Sequence, residues 1–347
     1  MKTAKPVGLD YDEIISSVRT VKGNTGELTV TRGKPAKTRK YTIVPVCVEG
    51  AQGECRLIEK VFSQNSRELS MYDFIRQHSR IIPEIYRLDL EKRTVLMEDM
   101  NADYFPGFNF NENNEYGDTF RKNHKTVLNA VAKFHGAFWE NYDAFGRIGL
   151  DWRLESKENL VAHIEGMGKD FKKYKNSEKA GRIPQKSGTF ENNIKPEKLE
   201  HFNTALEMLK TEYVKLIDGR FNKGKNITVI HGDLHPGNIY MSKSGSAIKY
   251  IDMEAVRIGL CTEDLAMFLA LHVEPDLKTV KPLLVHYHNS LCENAKDYSF
   301  DEFIADYKIS VMENMFFPIR LINRGIFDFN MRDRAIKAFE TLVLGSM

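Results

Sequence analysis

Residues 228–238 read T-V-I-H-G-D-L-H-P-G-N, and this stretch decides both the fold and the chemistry that the chain can carry. Its β-branched start predicts a short buried strand that ends at the histidine, and the Pro-Gly pair predicts a turn. A second strand, predicted at 247–251, delivers Asp252 at its end. Asp233, Asp252 and the carboxamide of Asn238 are therefore placed at strand ends, where their oxygen atoms can converge. Such a set suits a divalent metal ion with a proton acceptor beside it.

This pattern resembles the catalytic and metal loops of the aminoglycoside phosphotransferase and choline kinase-like family of small-molecule kinases. That family carries H-G-D-x-x-x-x-N followed by I-D-x-E, where protein kinases carry H-R-D-x-x-x-x-N and D-F-G. The chain matches the family in residue type and spacing at His231, Gly232, Asp233, Asn238 and Asp252. The resemblance implies the α+β class and a protein kinase-like fold of two lobes. The small N-lobe has an antiparallel sheet plus a helix, and the larger C-lobe is mainly helical.

The resemblance also assigns tasks to parts of the chain. Residues 1–100 are expected to form the N-lobe, which binds nucleotide phosphates. Residues 101–347 are expected to form the C-lobe, which carries the catalytic loop, the metal loop and the acceptor site. The implied reaction moves the γ-phosphate of ATP, with GTP also possible, to a hydroxyl group of a small molecule. In that reaction Asp233 acts as the base, and Asn238 and Asp252 hold Mg²⁺.

A lysine on a strand and a glutamate on the following helix extend the resemblance towards the N-terminus. The run L-I-E-K-V-F at 57–62 stands where the family has its phosphate-binding lysine, which makes Lys60 the candidate. A helix predicted at 66–77 carries Glu68, whose counterpart in the family pairs with that lysine and aims it. Glu59 is a second carboxylate close to Lys60 in sequence, so both acids are candidate partners.

The hinge between the lobes is predicted at residues 94–100, which read T-V-L-M-E-D-M. There the backbone from Glu98 to Met100 would bind the base edge of the nucleotide. The side chains of these residues therefore say little about nucleotide binding. The loop over the phosphates is harder to place because the chain has no G-x-G-x-x-G motif. Residues 23–26 and residues 32–37 are two candidates, and a plain hairpin turn is an equal alternative for each.

Composition bounds the class of protein and its partners. The chain has 347 residues, of which 42% are hydrophobic and 11% aromatic, so it can bury a large core in two lobes. Its net charge of +2 implies no strong field for nucleic acid or membrane, so neither is an expected partner. Four cysteines without a framework spacing, and an N-terminus without an apolar signal core, predict a reduced cytoplasmic protein. We expect a monomer or a homodimer.

Apolar periodicity predicts a short helix that begins at Tyr11, followed by an antiparallel meander over 27–62. Residues 103–118 read as a loop, and residues 119–142 read as strongly helical. Residues 169–198 are rich in charge, glycine and proline, which predicts a mobile, solvated segment. The segments after residue 263 read as helices of the C-lobe.

Three other residues near the motifs carry predictions of their own. His135 lies on an apolar helical stripe and is predicted to be a hydrogen-bonded core histidine. Asp264, in a D-L-A triplet that also occurs in the family, is predicted to stabilise the catalytic loop or a helix start. Glu254 follows Asp252 by two residues, as an acid often does in the family, and is a weaker candidate for metal binding.

The acceptor is the least determined part of the function. Residues 256–347 hold 10 basic and 13 acidic side chains, a net of −3, which favours a cationic aminoglycoside-like or amino-alcohol acceptor. Sugars, amino-acid alcohols and steroid-like alcohols are served by relatives of the same fold. Two other classes of protein compete: a protein kinase-like regulator and a nucleotide-binding pseudokinase. Gly232 in place of arginine, with no D-F-G and no A-P-E, argues against the first.

Overall fold

The computed structural model of the chain describes residues 8–24, 26–38, 40–63, 66–107, 117–148, 157–179, 183, 186–187, 190–191, 194–216, 220 and 223–345. Backbone contacts group the chain into two units. The first comprises residues 1–127 and 237–256, and the second comprises residues 128–236 and 257–347. The assignment of nucleotide binding to residues 1–100 stays a prediction.

An antiparallel sheet with a helix forms the centre of the first unit, which confirms the predicted N-lobe architecture. The strands run in the spatial order β1-β3-β4-β6-β5, and β2 pairs with β3. The strand β5 was not predicted, because its sequence I-Y-R-L-D lacks a clear alternation. The elements are β1 (Leu28–Arg32), β2 (Ala36–Lys37), β3 (Tyr41–Gly50), β4 (Gly53–Phe62), helix α2 (Glu68–Arg76), β5 (Ile85–Asp89) and β6 (Thr94–Glu98).

The two faces of this sheet have different neighbours, because successive side chains of a strand point to opposite faces. Helix α1 (Tyr11–Lys22) covers one face. It begins at Asp10, which forms a capping box with Glu13. The core between α1 and the sheet contains Leu9, Ile14, Val18, Leu28, Val46, Val48, Leu57, Tyr86 and Leu96.

Glu59 lies on the α1 side of the sheet, and its neighbour Lys60 lies on the other side. The Glu59 carboxylate accepts the Leu9 N–H at 2.5 Å and pairs with the Arg32 guanidinium at 3.0 Å. Glu59 is fully buried, whereas the Arg32 side chain is 30% exposed. Strand geometry thus removes Glu59 from the two candidate partners of Lys60 and gives it a structural task at the start of α1.

A second, three-stranded sheet of the first unit carries the predicted metal residues. It runs in the order β12-β11-β7, with β7 (Tyr104–Pro106), β11 (Ile239–Ser242) and β12 (Ile248–Tyr250). Strand β12 confirms the strand predicted before Asp252, with shorter bounds. The N–H of Tyr250 donates to the Ile81 carbonyl at 2.7 Å, which fixes this hairpin to the segment after α2. Helix α3 (Gly117–Lys122) also belongs to this unit.

The second unit is mainly helical, as predicted for the C-lobe. Its catalytic stretch starts on β10 (Thr228–Ile230), which pairs with β13 (Arg257–Gly259) in an antiparallel ladder. A short pair, β8 (Lys186–Ser187) and β9 (Phe190–Glu191), is also present. The helices are α4 (His124–Ala137), whose first four residues belong to the first unit, α5 (Tyr142–Ile148), α6 (Lys157–Lys179), α7 (Pro196–Leu216), α8 (Cys261–Leu265), α9 (Leu277–Leu291), α10 (Phe300–Asn314), α11 (Phe317–Asn323) and α12 (Phe329–Ala338), with π-helical turns at 266–270 and 339–344.

The segment predicted as strongly helical, 119–142, forms α3, α4 and the start of α5, and it is interrupted after α4. The turn after α4 places Glu140 in the left-handed region, with a φ of 51°. Two bonds hold it there: the Glu140 N–H donates to the Ile227 carbonyl at 3.0 Å, and its carboxylate accepts the Asn226 N–H at 2.8 Å. Contacts distant in sequence thus end the helix.

The prediction of a mobile segment over 169–198 is wrong for residues 169–179, which form the end of α6. Phe171 and Tyr174 are buried there, and the Phe171 ring stacks on Phe202 of α7 at a centroid distance of 4.7 Å. The apolar stripe of this helix outweighs its many charges. Within 180–193, residues 183, 186–187 and 190–191 are described, and residues 108–116 of the predicted loop lie outside the described part of the chain. No helix of the described residues is both long enough and apolar enough to cross a membrane.

Replacing Glu59 by alanine is expected to destabilise the protein by about 2 kcal/mol, because it leaves the Leu9 N–H and Arg32 without their buried acceptor. The loss of stability is smaller than for a fully buried ion pair, because the Arg32 side chain is partly exposed to water. Urea unfolding monitored by circular dichroism measures the change. The matched control is Glu49→Ala at an exposed site on β3, where the midpoint should stay unchanged. Equal midpoints for the two variants would contradict the role given to Glu59.

Candidate active site

Lys60 and Glu68 form a buried ion pair on the face of the sheet away from α1. The Lys60 Nζ lies 2.6 and 2.7 Å from the two carboxylate oxygens of Glu68. The side chains are only 7% and 1% exposed. Burial raises the pKa of the Glu68 carboxyl, and the charge of Lys60 opposes this shift. The predicted partner of the lysine is therefore Glu68, which lies at the first turn of α2.

Tyr72 lies one turn further along α2, close to both the ion pair and the metal loop of the same unit. Its buried hydroxyl group lies in the field of the Glu68 and Asp252 carboxylates. Complete burial raises the pKa of Tyr72 well above its ordinary value, so the hydroxyl keeps its proton. No sequence motif singled out Tyr72, although its spacing of four residues from Glu68 places both on one face of the helix.

Two aromatic rings enclose the ammonium group of Lys60. The Nζ lies 3.9 Å from the ring centroid of Tyr41 and 5.2 Å from that of Phe62. Tyr41 pairs with Phe62 across β3 and β4, so both rings stand on the same face as Lys60. These rings provide cation–π contacts that partly replace the water lost by the ammonium group.

Asp252 and Asn238, the predicted metal residues, are held next to each other by the backbone. The N–H of Ile251 donates to the Asn238 carbonyl at 3.1 Å. Asp252 takes a left-handed conformation, with φ 61° and ψ 63°. One carboxylate and one carboxamide oxygen fit Mg²⁺, which proteins bind through one or two carboxylates together with substrate phosphates and water. The described residues hold no cluster of three or more His, Cys, Asp or Glu suited to a metal.

The predicted hinge offers one backbone donor. The N–H of Glu98 donates to the Glu84 carbonyl at 2.9 Å, and the N–H of Asp99 donates to the Arg56 carbonyl at 3.0 Å. The carbonyl of Met100 accepts the Tyr104 N–H at 2.9 Å. Among the described residues the buried Met100 N–H has no acceptor. Because buried backbone N–H groups are normally paired, this donor is available for a ligand.

The side chain of Glu98 makes contacts that stabilise the fold. Its carboxylate accepts the Glu84 N–H at 2.6 Å and binds Lys249 of β12. It also lines a polar groove of about 1380 Å³, together with Cys55 and Tyr86 on the α1 side of the sheet. The ring of Tyr41 and the side chain of Lys60 stand on the opposite face of the sheet from Cys55 and Tyr86.

The two candidate phosphate loops lie at opposite ends of β1. Residues 23–26 precede Leu28, which pairs with Gly50 at the end of the sheet far from Lys60; Thr25 lies outside the described residues. Residues 32–37 lead towards Tyr41, next to Lys60. There the Gly33 N–H donates to the Pro45 carbonyl at 2.9 Å, and β2 continues the pairing with β3. Thr38 and Tyr41, which lie just beyond the second candidate, are therefore at the tip of the hairpin.

Asp264 of α8 holds the backbone of the H-G-D motif in the second unit. Its carboxylate accepts the N–H of His231 at 2.7 Å and the N–H of Gly232 at 2.8 Å. Gly232 has a φ of 77°, a conformation that favours glycine over the arginine of protein kinases. The predicted structural role of Asp264 is confirmed.

His135 completes the support of this carboxylate from α4. Its Nε2 lies 3.1 Å from Asp264, and its Nδ1 lies 2.7 Å from the Tyr287 hydroxyl. The histidine is fully buried, which confirms the prediction of a hydrogen-bonded core residue. Although burial by itself would raise the pKa of Asp264, hydrogen bonds and charge from His135 and the H-G-D segment hold it below its ordinary value.

The candidate base, Asp233, is accessible from solvent. Its side chain is 35% exposed, and one carboxylate oxygen lies 3.9 Å from the Nε2 of His235. The Asp233 N–H donates to the Nδ1 of buried His231 at 3.3 Å, which fits the predicted packing role of that histidine. Arg257 donates to the Gly232 carbonyl at 3.2 Å and is held by Glu263 at 2.6 Å. Sequence reasoning missed Arg257 because it lies in no motif.

Together the fold and these residues define a small-molecule kinase of the protein kinase-like type. Residues 59–300, more than two thirds of the chain, match the ecdysteroid kinase-like family, and the protein belongs to that family. This class of enzyme transfers phosphate to hydroxyl groups of small molecules, as the resemblance implied.

Solved structures support the fold. An ethanolamine kinase from Plasmodium vivax is 14% identical, with a TM-score of 0.50, over 95% of this chain and 84% of that one. A provisionally assigned aminoglycoside phosphotransferase from Ralstonia eutropha is 14% identical, with a TM-score of 0.55, over 96% of each chain. A comparison with curated proteins by sequence finds no match.

Replacing Asp264 by asparagine is expected to destabilise the protein by about 3 kcal/mol, because the amide group cannot accept all three buried donors. The lowered pKa adds a pH dependence. The ionised carboxylate stabilises the fold fully above its ordinary pKa of 3.8, and this contribution is lost as the pH falls below that value. Thermal unfolding of both proteins between pH 3 and pH 7 measures it. A constant difference across that range would contradict the assignment.

Proposed function

We propose that the protein transfers the γ-phosphate of ATP, or of GTP, to a hydroxyl group of a small organic molecule. The observation that carries this proposal is the buried Lys60–Glu68 pair, whose carboxylate lies near the charge of Asp252. In phosphoryl transfer the protein supplies mainly position and charge neutralisation. A lysine aimed by a glutamate, beside a carboxylate fit for Mg²⁺, supplies both.

Each residue has one task in the proposed reaction. Asp233 orients the acceptor hydroxyl and takes its proton as the new oxygen–phosphorus bond forms and the bond to the leaving phosphate breaks. Asn238 and Asp252 hold Mg²⁺, which neutralises phosphate charge when it is bound. Lys60 neutralises part of the negative charge of the phosphates. Glu68 is a positioning residue for Lys60.

The hinge adds a site for the base of the nucleotide. The N–H of Met100, which has no acceptor among the described residues, can donate to an acceptor on the base edge, and the buried setting of Met100 strengthens such a bond. Glu98 contributes through its backbone, because its carboxylate is already bound to Lys249. Both bases of interest, adenine and guanine, offer ring acceptors, so this donor is compatible with ATP and GTP.

Two acceptor classes are supported by different observations. The acidic balance of residues 256–347 favours an amino alcohol or an aminoglycoside-like molecule. The description of the family favours an ecdysteroid-like alcohol, which carries hydroxyl groups without a cationic charge. The shared chemistry is an alcohol oxygen that becomes a phosphate monoester.

Turnover with a panel of acceptors tests the proposed function. Purified protein is incubated with Mg²⁺ and ATP or GTP together with ethanolamine, choline, an aminoglycoside or an ecdysteroid. Mass spectrometry of the products should show one acceptor class gaining a single phosphate, with one nucleoside diphosphate released per product. Nucleotide binding without turnover on any acceptor would favour the pseudokinase class. Phosphate on added proteins instead would favour a protein kinase-like regulator.

Substitutions at the two aspartates should separate catalysis from metal binding. Asp233→Asn is expected to keep nucleotide affinity while lowering transfer by several orders of magnitude, because the amide cannot take the proton. Asp252→Ala is expected to lose the Mg²⁺-dependent part of nucleotide affinity itself. Single-turnover kinetics and calorimetry measure the two effects. Near-normal transfer by Asp233→Asn would exclude this residue as the base.

A further inference from the structure

The turn at the tip of the β1–β3 hairpin is built on threonine instead of glycine. The N–H of Thr38 donates to the Tyr41 carbonyl at 2.9 Å, and the Thr38 Oγ1 accepts the N–H of Lys40 at 3.2 Å and that of Tyr41 at 3.1 Å. The Lys40 carbonyl accepts the Ser63 N–H at 2.7 Å, which ties the turn to the end of β4. The backbone of Lys40 is therefore fixed, next to the residue whose ring covers Lys60.

The side chain of Lys40 reaches the metal loop. Its Nζ lies 2.5 Å from the Glu254 carboxylate, two residues after Asp252. The hydrogen bond to Glu254 raises the pKa of Lys40, and the charges of Asp252 and Glu68 act in the same direction. The ammonium group of Lys40 thus lies in the negative field of the residues that are proposed to bind Mg²⁺ and aim Lys60.

This ion pair contributes little to the stability of the fold. The Lys40 side chain is 59% exposed and the Glu254 side chain 33%, and pairs exposed in this way contribute about 0 to 1 kcal/mol. The pair can therefore open at little cost. A phosphate chain at the same place carries more negative charge than one carboxylate and accepts stronger charge-assisted hydrogen bonds.

We propose that Lys40 is a phosphate-binding residue that exchanges the Glu254 carboxylate for the phosphates of the nucleotide. A cationic side chain on a rigid turn then performs the task that backbone N–H groups of a glycine-rich loop perform elsewhere. This inference rests on the proposed function, because it presumes a nucleotide between the hairpin and the metal loop. The exchange also releases Glu254 beside Asp252, where a second carboxylate suits a divalent ion.

Calorimetric titrations at constant ionic strength, in EDTA and then in Mg²⁺, test this inference with ATP, ADP and adenosine as probes. Lys40→Met is expected to weaken ATP and ADP about tenfold, because a charge-assisted bond is lost, and to leave adenosine unchanged. Lys40→Arg should keep most of the affinity. Lys22→Met is the matched control, since it removes a lysine from another exposed ion pair of the same unit.

Glu254→Gln distinguishes phosphate binding from a structural role of the ion pair. If Lys40 binds phosphate, this variant should bind ATP in EDTA at least as tightly as the unsubstituted protein, because the competing carboxylate is gone. Equal weakening by Lys40→Met and Glu254→Gln would overturn the inference and leave only a structural pair.

Two other results also decide the question. If the unsubstituted protein and Lys40→Met bind ATP equally, or if Lys34→Met or Lys37→Met causes the tenfold loss instead, Lys40 is not the phosphate-binding residue. If the unsubstituted protein binds none of the nucleotides, the proposed function fails together with the inference.

Discussion

The buried ion pair of Lys60 and Glu68 is the interaction on which the first unit depends. Removing an ammonium group and a carboxylate from water costs several kcal/mol per ion, and attraction between them offsets this cost only when the geometry is good. Here two short hydrogen bonds and the Tyr41 ring provide that geometry. Because Lys60 lies on β4, Glu68 on α2 and Tyr41 on β3, these three elements must all be in place before the pair is stable.

The second unit also buries a charged group, the carboxylate of Asp264, and stabilises it with backbone donors. Among the described residues, no lysine or arginine forms an ion pair with buried Asp264. Its ionised carboxylate is stabilised by two N–H groups of the H-G-D motif and by His135. The loop and the carboxylate stabilise each other. The loop stabilises the ionised carboxylate, and the carboxylate in turn sets the direction of the loop that carries Asp233. The candidate base, Asp233, can then stay accessible while the residues that support its loop are completely buried.

Much of this arrangement could be predicted from sequence, because the motifs lie at strand ends and helix starts. The antiparallel sheet, the helical second unit and the partner of the lysine all follow from local patterns. Even the choice of Glu68 over Glu59 was accessible, since neighbours on a strand point to opposite faces. By contrast, the break after α4 depends on contacts of Glu140 with residues more than 80 positions away, which no local pattern contains. The hinge at Glu98 to Met100 was predicted from its place in the chain, whereas the proposed role of Lys40 depends on the register of a hairpin, which leaves no signal in residue type.

The unfavourable backbone conformation of Asp252 is related to the proposed chemical role of its carboxylate. A left-handed conformation is unfavourable for residues with a Cβ atom, and glycine or asparagine would adopt it at a lower cost. The N–H of the preceding residue, Ile251, donates to the Asn238 carbonyl, which fixes the chain at this point. That bond does not involve the Asp252 carboxylate. The proposed Mg²⁺ site gives this carboxylate a task that accounts for the unfavourable backbone conformation.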